Sequence, residues 1–405
     1  MPHTRARHLE PLLKKALGLS PIVGVLGHRQ VGKTTLLEAL SDRYATLDLP
    51  STRMPANKTP ETWLQDWFKA GELHGIDECQ LAPGLFPVLK EWVRRHKRPG
   101  QFLLSGSIRF TSRKAIQESL TGRIITLELL PMTLSELCEL PLSDRLLRWM
   151  DLPDFPLGGS ESVTRKSSAA ARRKEFETYL EQGGLPGICF IREPKLRALK
   201  LEEQLRTLLD RDLRLVQATP LSYSTIRELL VQLARRVGEP IEYRQLASHC
   251  SISIPTVKRL IFALEAIFLI RSFPIEGTRK GFTIFFEDQG EWNWLSQGQS
   301  PRESRLLQFV FAQARAQFQY RAGETVRTFQ YRSRGGALIP LCYQHPLGVL
   351  GIYPIENPEE FDGLRGSIRS FLSAYSRSKV LLLHRGDEFK RVSDRILLAP
   401  MLECL

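Results

Sequence analysis

The sequence predicts an α/β chain whose leading unit is a parallel sheet built on a phosphate-binding loop, and three observations carry that reading. Gly27-His28-Arg29-Gln30-Val31-Gly32-Lys33-Thr34 has the form GxxxxGK[ST]. It stands between an apolar run, Ile22-Val23-Gly24-Val25-Leu26, and a run that reads as the first turns of a helix, Thr35-Leu36-Leu37-Glu38-Ala39-Leu40. That strand–loop–helix context is the one the motif requires. A length of 405 residues exceeds what one compact core can hold, so two or three domains are expected.

The glycines let the backbone wrap around a phosphate without Cβ interference, so that successive N–H groups point at it. The helix N-terminus adds partial positive charge on the same side. The expected nucleotide contacts are Gly27, Arg29, Gln30, Val31, Gly32 and Thr35, with Lys33 reaching the β- and γ-phosphates of ATP and the Thr34 hydroxyl ligating Mg²⁺. The next strand, Leu73-His74-Gly75-Ile76, is less apolar than most and ends in Asp77-Glu78. Asp77 is placed to hold the magnesium shell and Glu78 to polarise an attacking water. Gln101-Phe102-Leu103-Leu104 is a further strand, ending in Ser105-Gly106-Ser107, whose hydroxyls either contact the γ-phosphate or serve as turn residues. Arg123 precedes the strand-like Ile124-Ile125-Thr126-Leu127-Glu128-Leu129. It is the first candidate for a cation that answers the γ-phosphate, in cis or from a neighbouring subunit of an oligomer, and Arg109 is the second.

The series GxRQVGKTTLL, Tyr44-Ala45-Thr46-Leu47-Asp48, IDExQ, LLSGS, SLTGR and Pro131-Met132-Thr133-Leu134-Ser135-Glu136-Leu137 resembles a prokaryotic AAA+ ATPase family, densely over residues 20–275 and thinly beyond. The resemblance implies an ATPase core joined through a helical lid to a winged helix and to a C-terminal domain of the restriction-endonuclease type. It implies Lys33 and Thr34 as nucleotide ligands and Asp77 and Glu78 as the catalytic acidic pair. The expected division is a core over 1–150, a linker over 151–171, a lid segment over 172–218, a winged helix over 219–278 and a nuclease-like domain over 279–405.

Residues 151–171 combine prolines, Gly-Gly, serines and alanines without hydrophobic periodicity, as a linker does. An amphipathic helix follows Arg172-Arg173-Lys174 and stops at Gly183-Gly184-Leu185-Pro186. In the resembling family that segment lies at the base of the lid, near the nucleotide, which makes Pro186 a candidate contact; a plain helix stop explains it equally. Tyr243–Cys250 followed by Ser253–Leu260 reads as helix-turn-helix, with Lys258 and Arg259 able to face DNA phosphates. The second of these helices is also rich in apolar residues, which suits a core or interface. Beyond Gly290, a helix, three strands, a helix and a further strand fit the nuclease-like domain of the resembling family. Cleavage in that fold needs an Asp on one strand and Glu-x-Lys on the next. Gly336-Ala337-Leu338-Ile339-Pro340 carries no acid, and Glu356 has no lysine two residues on. A site rearranged around Glu356, Glu359, Glu360 and Asp362 is the weaker alternative to a fold kept without cleavage chemistry.

A formal charge of +13 makes DNA or another polyanion a plausible partner, with a protein partner as the alternative. Six cysteines lie far apart with no CxxC, which argues against a disulfide framework or structural zinc and fits a reducing cytoplasm. The first residues lack the apolar stretch of a signal peptide, and no apolar run is long enough for a membrane span.

Overall fold

Five short strands in the first third of the chain pair as one parallel sheet. They are β1 (Ile22–Leu26), β2 (Arg43–Thr46), β3 (His74–Asp77), β4 (Phe102–Gly106) and β5 (Ile124–Glu128), in the order β2-β3-β4-β1-β5. This computed structural model describes residues 5–110, 122–156, 169–277, 281–299, 301–322, 326–346 and 348–405. The central strands β1 and β4 are buried along their whole length, as strands covered on both faces must be, whereas the edge strands β2 and β5 are half-buried. One face packs on the helix Leu85–Arg95; the other packs on the helices Glu10–Leu17 and Lys33–Leu40.

The polar start of β3 has a local cause. The His74 ring stacks on Phe68 with centroids 4.6 Å apart, and its Nε2 accepts from the Lys69 amide at 3.0 Å. A Cβ on Gly75 would fall 2.3 Å from the Ser41 hydroxyl, so only glycine allows that close approach.

Three helices, Tyr223–Ala234, Tyr243–His249 and Ile254–Ala266, occupy the region expected to hold a helix-turn-helix. Ser253 caps the last of them by accepting from the Thr256 amide at 3.3 Å. The hairpin β6 (Ile270–Gly277) and β7 (Gly281–Phe286) follows. Here the expected boundary at 278/279 needs correction, because β6 and β7 belong to the same sheet as the strands beyond them. These are β8 (Arg327–Arg332), β9 (Leu338–His345), β10 (Gly348–Pro354), β11 (Ser378–His384), β12 (Lys390–Ser393) and β13 (Ile396–Pro400). The order is β12-β13-β11-β10-β9-β8-β6-β7. Parallel pairing of Ile275, Glu276 and Gly277 with Gln330, Tyr331 and Arg332 makes the join.

Side chains alternate across this sheet with the period of two that strands impose. Val380 and Leu382 face the helix Phe361–Ala374, while Leu381 and Leu383 enter the core shared with the helices of the middle region. The C-terminal part of the expected 151–171 linker already belongs to the helix Ala169–Gln182; residues 157–168 lie outside the described residues.

The two sheets meet at a half-buried cluster of charge. Glu128, at the end of β5, pairs with Arg109 at 3.0 Å, Arg271 at 2.6 Å and Arg315 at 2.7 Å. Arg271 and Arg315 also pair with Glu287. Burial opposes ionisation of Glu128, but the three guanidinium groups outweigh it and hold its carboxyl well below the usual range.

Candidate functional site

In a parallel sheet all strand C-termini emerge on one edge, and the crevice beyond that edge is where ligands sit. β1 runs into the loop 27–34, β3 ends in Asp77 and β4 ends near Ser105, so these three segments converge. The loop turns through two left-handed residues, Gln30 (φ 61°) and Gly32 (φ 101°). The helix Lys33–Leu40 begins directly after it, and Gly32 supplies no side-chain cap. The first amides of a helix have no intrahelical acceptor, so they are left to a ligand. A cavity of about 650 Å³ opens there, lined by Gln30, Gly32, Lys33, Thr34, Thr35 and Glu78 on one side and by Met132, Pro186, Gly187, Phe190 and Ile191 on the other.

Lys33 is 4% exposed, and its ammonium donates to the carbonyls of Gly27 at 3.0 Å and His28 at 2.9 Å. Burial lowers its pKa, and Glu78, Asp77 and Asp212 partly restore it. The Thr34 hydroxyl donates to Asp77 Oδ2 at 2.6 Å, and Tyr44 donates to the same oxygen at 3.0 Å. Ser105 donates to Asp77 Oδ1, so its hydroxyl is turned to the acid and fixes the carboxylate. Glu78 has a left-handed backbone (φ 54°, ψ 41°), stabilised by its amide donating to Asp77 Oδ1 at 3.1 Å and to Ser105 Oγ at 3.2 Å. Its carboxylate accepts from Gln80 and, at 3.3 Å, from Ser107. Burial raises the pKa of Glu78, with Lys33 opposing the rise.

The donor set suits a hard divalent cation: a hydroxyl and a carboxylate in direct contact, oxygen on oxygen, below the helix N-terminus. Thr34 and Asp77 are the residues that would hold Mg²⁺.

The Gly183-Gly184-Leu185-Pro186 segment ends the helix Ala169–Gln182 beside this cavity. Gly183 closes the helix by donating to Tyr179 O at 2.9 Å, and Pro186 and Gly187 also line the cavity. A Cβ on Gly187 would lie 2.7 Å from Gln30 Oε1, so this glycine leaves room for the Gln30 side chain against the backbone after Pro186.

Arg123 is corrected as a cis residue. It precedes β5, and register pairs Ile124 with Ile22 at the start of β1, so Arg123 stands at the opposite end of the sheet. A strand of five residues separates it from the loop by about 16 Å. Arg109 is engaged by Glu128 and stacks over Phe268 at 4.2 Å. Lys258 and Arg259 are exposed on the helix Ile254–Ala266. Glu356 pairs with Arg302 at 2.9 Å and with Arg385 at 3.6 Å.

Several residues at the site come from beyond the motifs. Arg7 donates to Val31 O and to Leu130 O, both at 2.6 Å, and is anchored by Glu136 at 3.2 Å. Glu136 also closes a capping box with Thr133, so the Pro131–Leu137 stretch braces the loop through an arginine 129 positions away. His28 Nε2 lies 3.1 Å from Glu291 Oε2, both side chains fully enclosed. Burial works against the charged His28 ring, but the Glu291 carboxylate outweighs it and raises the pKa. Asp288 accepts from the Gly184 amide at 2.7 Å, and burial pushes its carboxyl up to about 6. Arg29 faces Asp212, a 1% exposed carboxylate 183 positions on, at 3.4 Å.

Residues 19–138 match the family described as an AAA domain, and residues 173–300 match a domain of unknown function (DUF8612) that crosses the corrected boundary. Uncharacterized proteins of Mycobacterium tuberculosis and Mycobacterium bovis are each 28% identical over 264 residues, 64% of this chain and 51% of theirs. The chain therefore spans about half the length of these curated relatives. Among solved structures, a signal transduction ATPase with a tetratricopeptide repeat sensor from Pyrococcus horikoshii is 12% identical, with a TM-score of 0.30 over 80% of this chain and 48% of that one. AMPPCP-bound DnaA from Aquifex aeolicus is 13% identical, with a TM-score of 0.25 over 64% of this chain and 85% of that one. Among the described residues no helix is long and apolar enough to cross a membrane.

Proposed function

We propose that this chain is an ATP-hydrolysing switch whose middle region reports the nucleotide state to DNA. The observation that carries the reading is the contact of Thr34 with Asp77 at 2.6 Å beside a buried Glu78, all at the rim of a loop with free helix-end amides. Lys33 neutralises the β- and γ-phosphates and the loop amides fix their orientation. Thr34 and Asp77 would hold Mg²⁺, which would supply charge neutralisation at the phosphates. Glu78, held by Gln80 and Ser107, accepts a proton from the attacking water; burial strengthens it as a base. The apolar wall of Met132, Pro186, Phe190 and Ile191 suits a purine.

The helices Tyr223–Ala234, Tyr243–His249 and Ile254–Ala266 with the hairpin β6–β7 are read as a winged helix, and its exposed Lys258 and Arg259 as the contact with DNA phosphates. Glu356 serves ion pairs with Arg302 and Arg385, so no cleavage chemistry is proposed for the C-terminal strands. Widely spaced thiols suit the cytoplasm. The deciding experiment is ATP turnover by the purified chain with and without duplex DNA. Turnover absent in both conditions overturns the hydrolytic reading, and turnover indifferent to DNA, with no DNA retained at low salt, leaves a protein partner as the readout.

A further inference from the structure

The geometry points to Asp212 as a gate on the nucleotide site: its carboxylate occupies the guanidinium groups of Arg29 and Arg211, for which the terminal phosphate of ATP competes. The inference rests on the reading that the loop binds ATP, and it adds an element that separates ATP from ADP.

Asp212 is an unusual residue to bury. It is 1% exposed and is carried by a wide π-turn, Leu208–Asp212, between the helices Pro194–Thr207 and Leu213–Val216. Such turns are costly and recur where a side chain is re-aimed at a functional site. The carboxylate lies between two cations. Arg29 Nη1 is 3.4 Å from Oδ2, and Arg211 Nε is 3.8 Å from Oδ1. Both separations are long for charge-assisted bonds, which settle near 2.7–2.9 Å, so neither guanidinium is fully satisfied by Asp212.

Arg29 is itself a residue of the phosphate-binding loop. Arg211 donates to Asp48 at 2.7 Å, and the adjacent Leu47 amide donates to the Asp77 carbonyl at 3.0 Å. The two arginines therefore stand at the same edge of the sheet as the acidic pair, beside the walls of the cavity, on the side a γ-phosphate extends toward and an ADP does not. A phosphate with close to two negative charges and three acceptor oxygens outcompetes one loosely placed carboxylate for such groups.

Drawing Arg29 toward a phosphate leaves Asp212 buried with only the more distant Arg211 beside it, a cost that a shift of the π-turn would relieve. Leu208, Leu209 and Leu213 around that turn share one core with Ile226, Leu230, Leu260 and Leu264 of the middle helices. Motion of the turn thus reaches the helix that carries Lys258 and Arg259.

The test is the affinity of the purified full chain for a non-hydrolysable ATP analogue and for ADP, each with Mg²⁺, in wild type, Asp212→Asn and Arg29→Gln. Asp212→Asn keeps the shape and removes the competing charge, so the preference for the ATP analogue over ADP is expected to rise about tenfold. Arg29→Gln, at a partly exposed position, is expected to lower the same preference about tenfold even if the buried variant folds poorly. An unchanged ratio in Arg29→Gln, or a ratio that falls in Asp212→Asn, overturns the gate while leaving ATP binding in place. Failure of the wild-type chain to bind either nucleotide overturns the ATP reading and the gate with it.

Discussion

Glu78 holds a left-handed backbone that a bulky residue enters only at a cost of about 1–2 kcal/mol, and it does so because its amide reaches Asp77 and Ser105 together. The strain aims the carboxylate at the cavity while its neighbour Asp77 faces Thr34. Lys33→Ala is therefore expected to abolish nucleotide binding, and Glu78→Gln to bind normally while turning over about a hundredfold more slowly or worse. A Glu78→Gln variant hydrolysing ATP at the wild-type rate removes Glu78 from the reaction. Burial also fixes a pH signature. The pKa of Glu78 in the free chain is raised above 4.5, so its basic form is lost as pH falls through a value above 4.5, and the acid limb of kcat/KM, which reports the free enzyme, is expected to have its midpoint there. A kcat/KM profile flat down to pH 4.5 contradicts the assignment. Much at this scale is legible in sequence, because Lys33, Thr34, Asp77 and Glu78 sit in short motifs whose chemistry is local. Arg123 was legible as an arginine but not as a distant one, although a parallel sheet with Arg123 ahead of its strand already implies the wrong edge. Asp212, Arg211 and Arg7 carry no motif, since only tertiary packing brings them to the loop.

The phosphate-binding loop is clamped to the helix Gln289–Leu295 as one element is clamped to another. His28 meets Glu291, Asp288 takes the Gly184 amide, and a Cβ on Gly290 would fall 2.1 Å from Gln182 O, so glycine alone permits the crossing. Nothing in Glu287-Asp288-Gln289-Gly290-Glu291 announces this role in sequence, because its partners lie more than 100 positions away. The clamp's contribution to stability depends on pH with a definite sign. His28 has its pKa raised above 6.5, so its contribution is complete below pH 6.5 and is lost as pH rises through the folded-state value. His28→Gln is expected to cost about 3 kcal/mol below pH 6.5, with the gap in Tm from wild type narrowing as pH rises. A gap independent of pH sinks the ionised pair. On the helix Ile254–Ala266 the expectation is electrostatic. Each phosphate neutralised contributes about −0.9 to the log–log salt slope, so Lys258→Ala with Arg259→Ala should flatten the slope of DNA binding by about 2. An unaltered isotherm moves the contact to another face.

At the scale of the molecule, most of the central strands were readable from their apolar runs, but β2, β7, β12 and β13 were not, and no strand's partner was. Ile270–Gly277 looks like a strand in isolation, and only the finished sheet shows it pairing in parallel with Arg327–Arg332 across 50 intervening positions or so, a non-local choice that no local pattern encodes. The consequence is that the middle region and the C-terminal strands form one folding unit. Phe176 packs on Phe309 at 4.8 Å and Phe285 on Phe311 at 4.6 Å. Gln313 accepts from the Leu134 amide at 2.9 Å and Tyr320 from the Leu130 amide at 2.7 Å, while Arg315 neutralises Glu128 and Glu287. A chain cut after residue 299 keeps both matched regions almost whole, yet it loses Leu306, Phe309, Val310 and Phe311, all buried in the shared core. Burial of each stabilises by about 1.5–3 kcal/mol, so these four alone carry about 6–12 kcal/mol, comparable with the whole stability of an ordinary domain. The truncated chain is therefore expected to lose near-ultraviolet circular dichroism, to bind a hydrophobic dye and to show no sharp thermal transition, even though it retains every residue of the phosphate-binding loop. A 1–299 chain that melts cooperatively within a few degrees of the full protein would show that the middle region folds without the C-terminal strands, and the boundary first expected near 278 would be a real one.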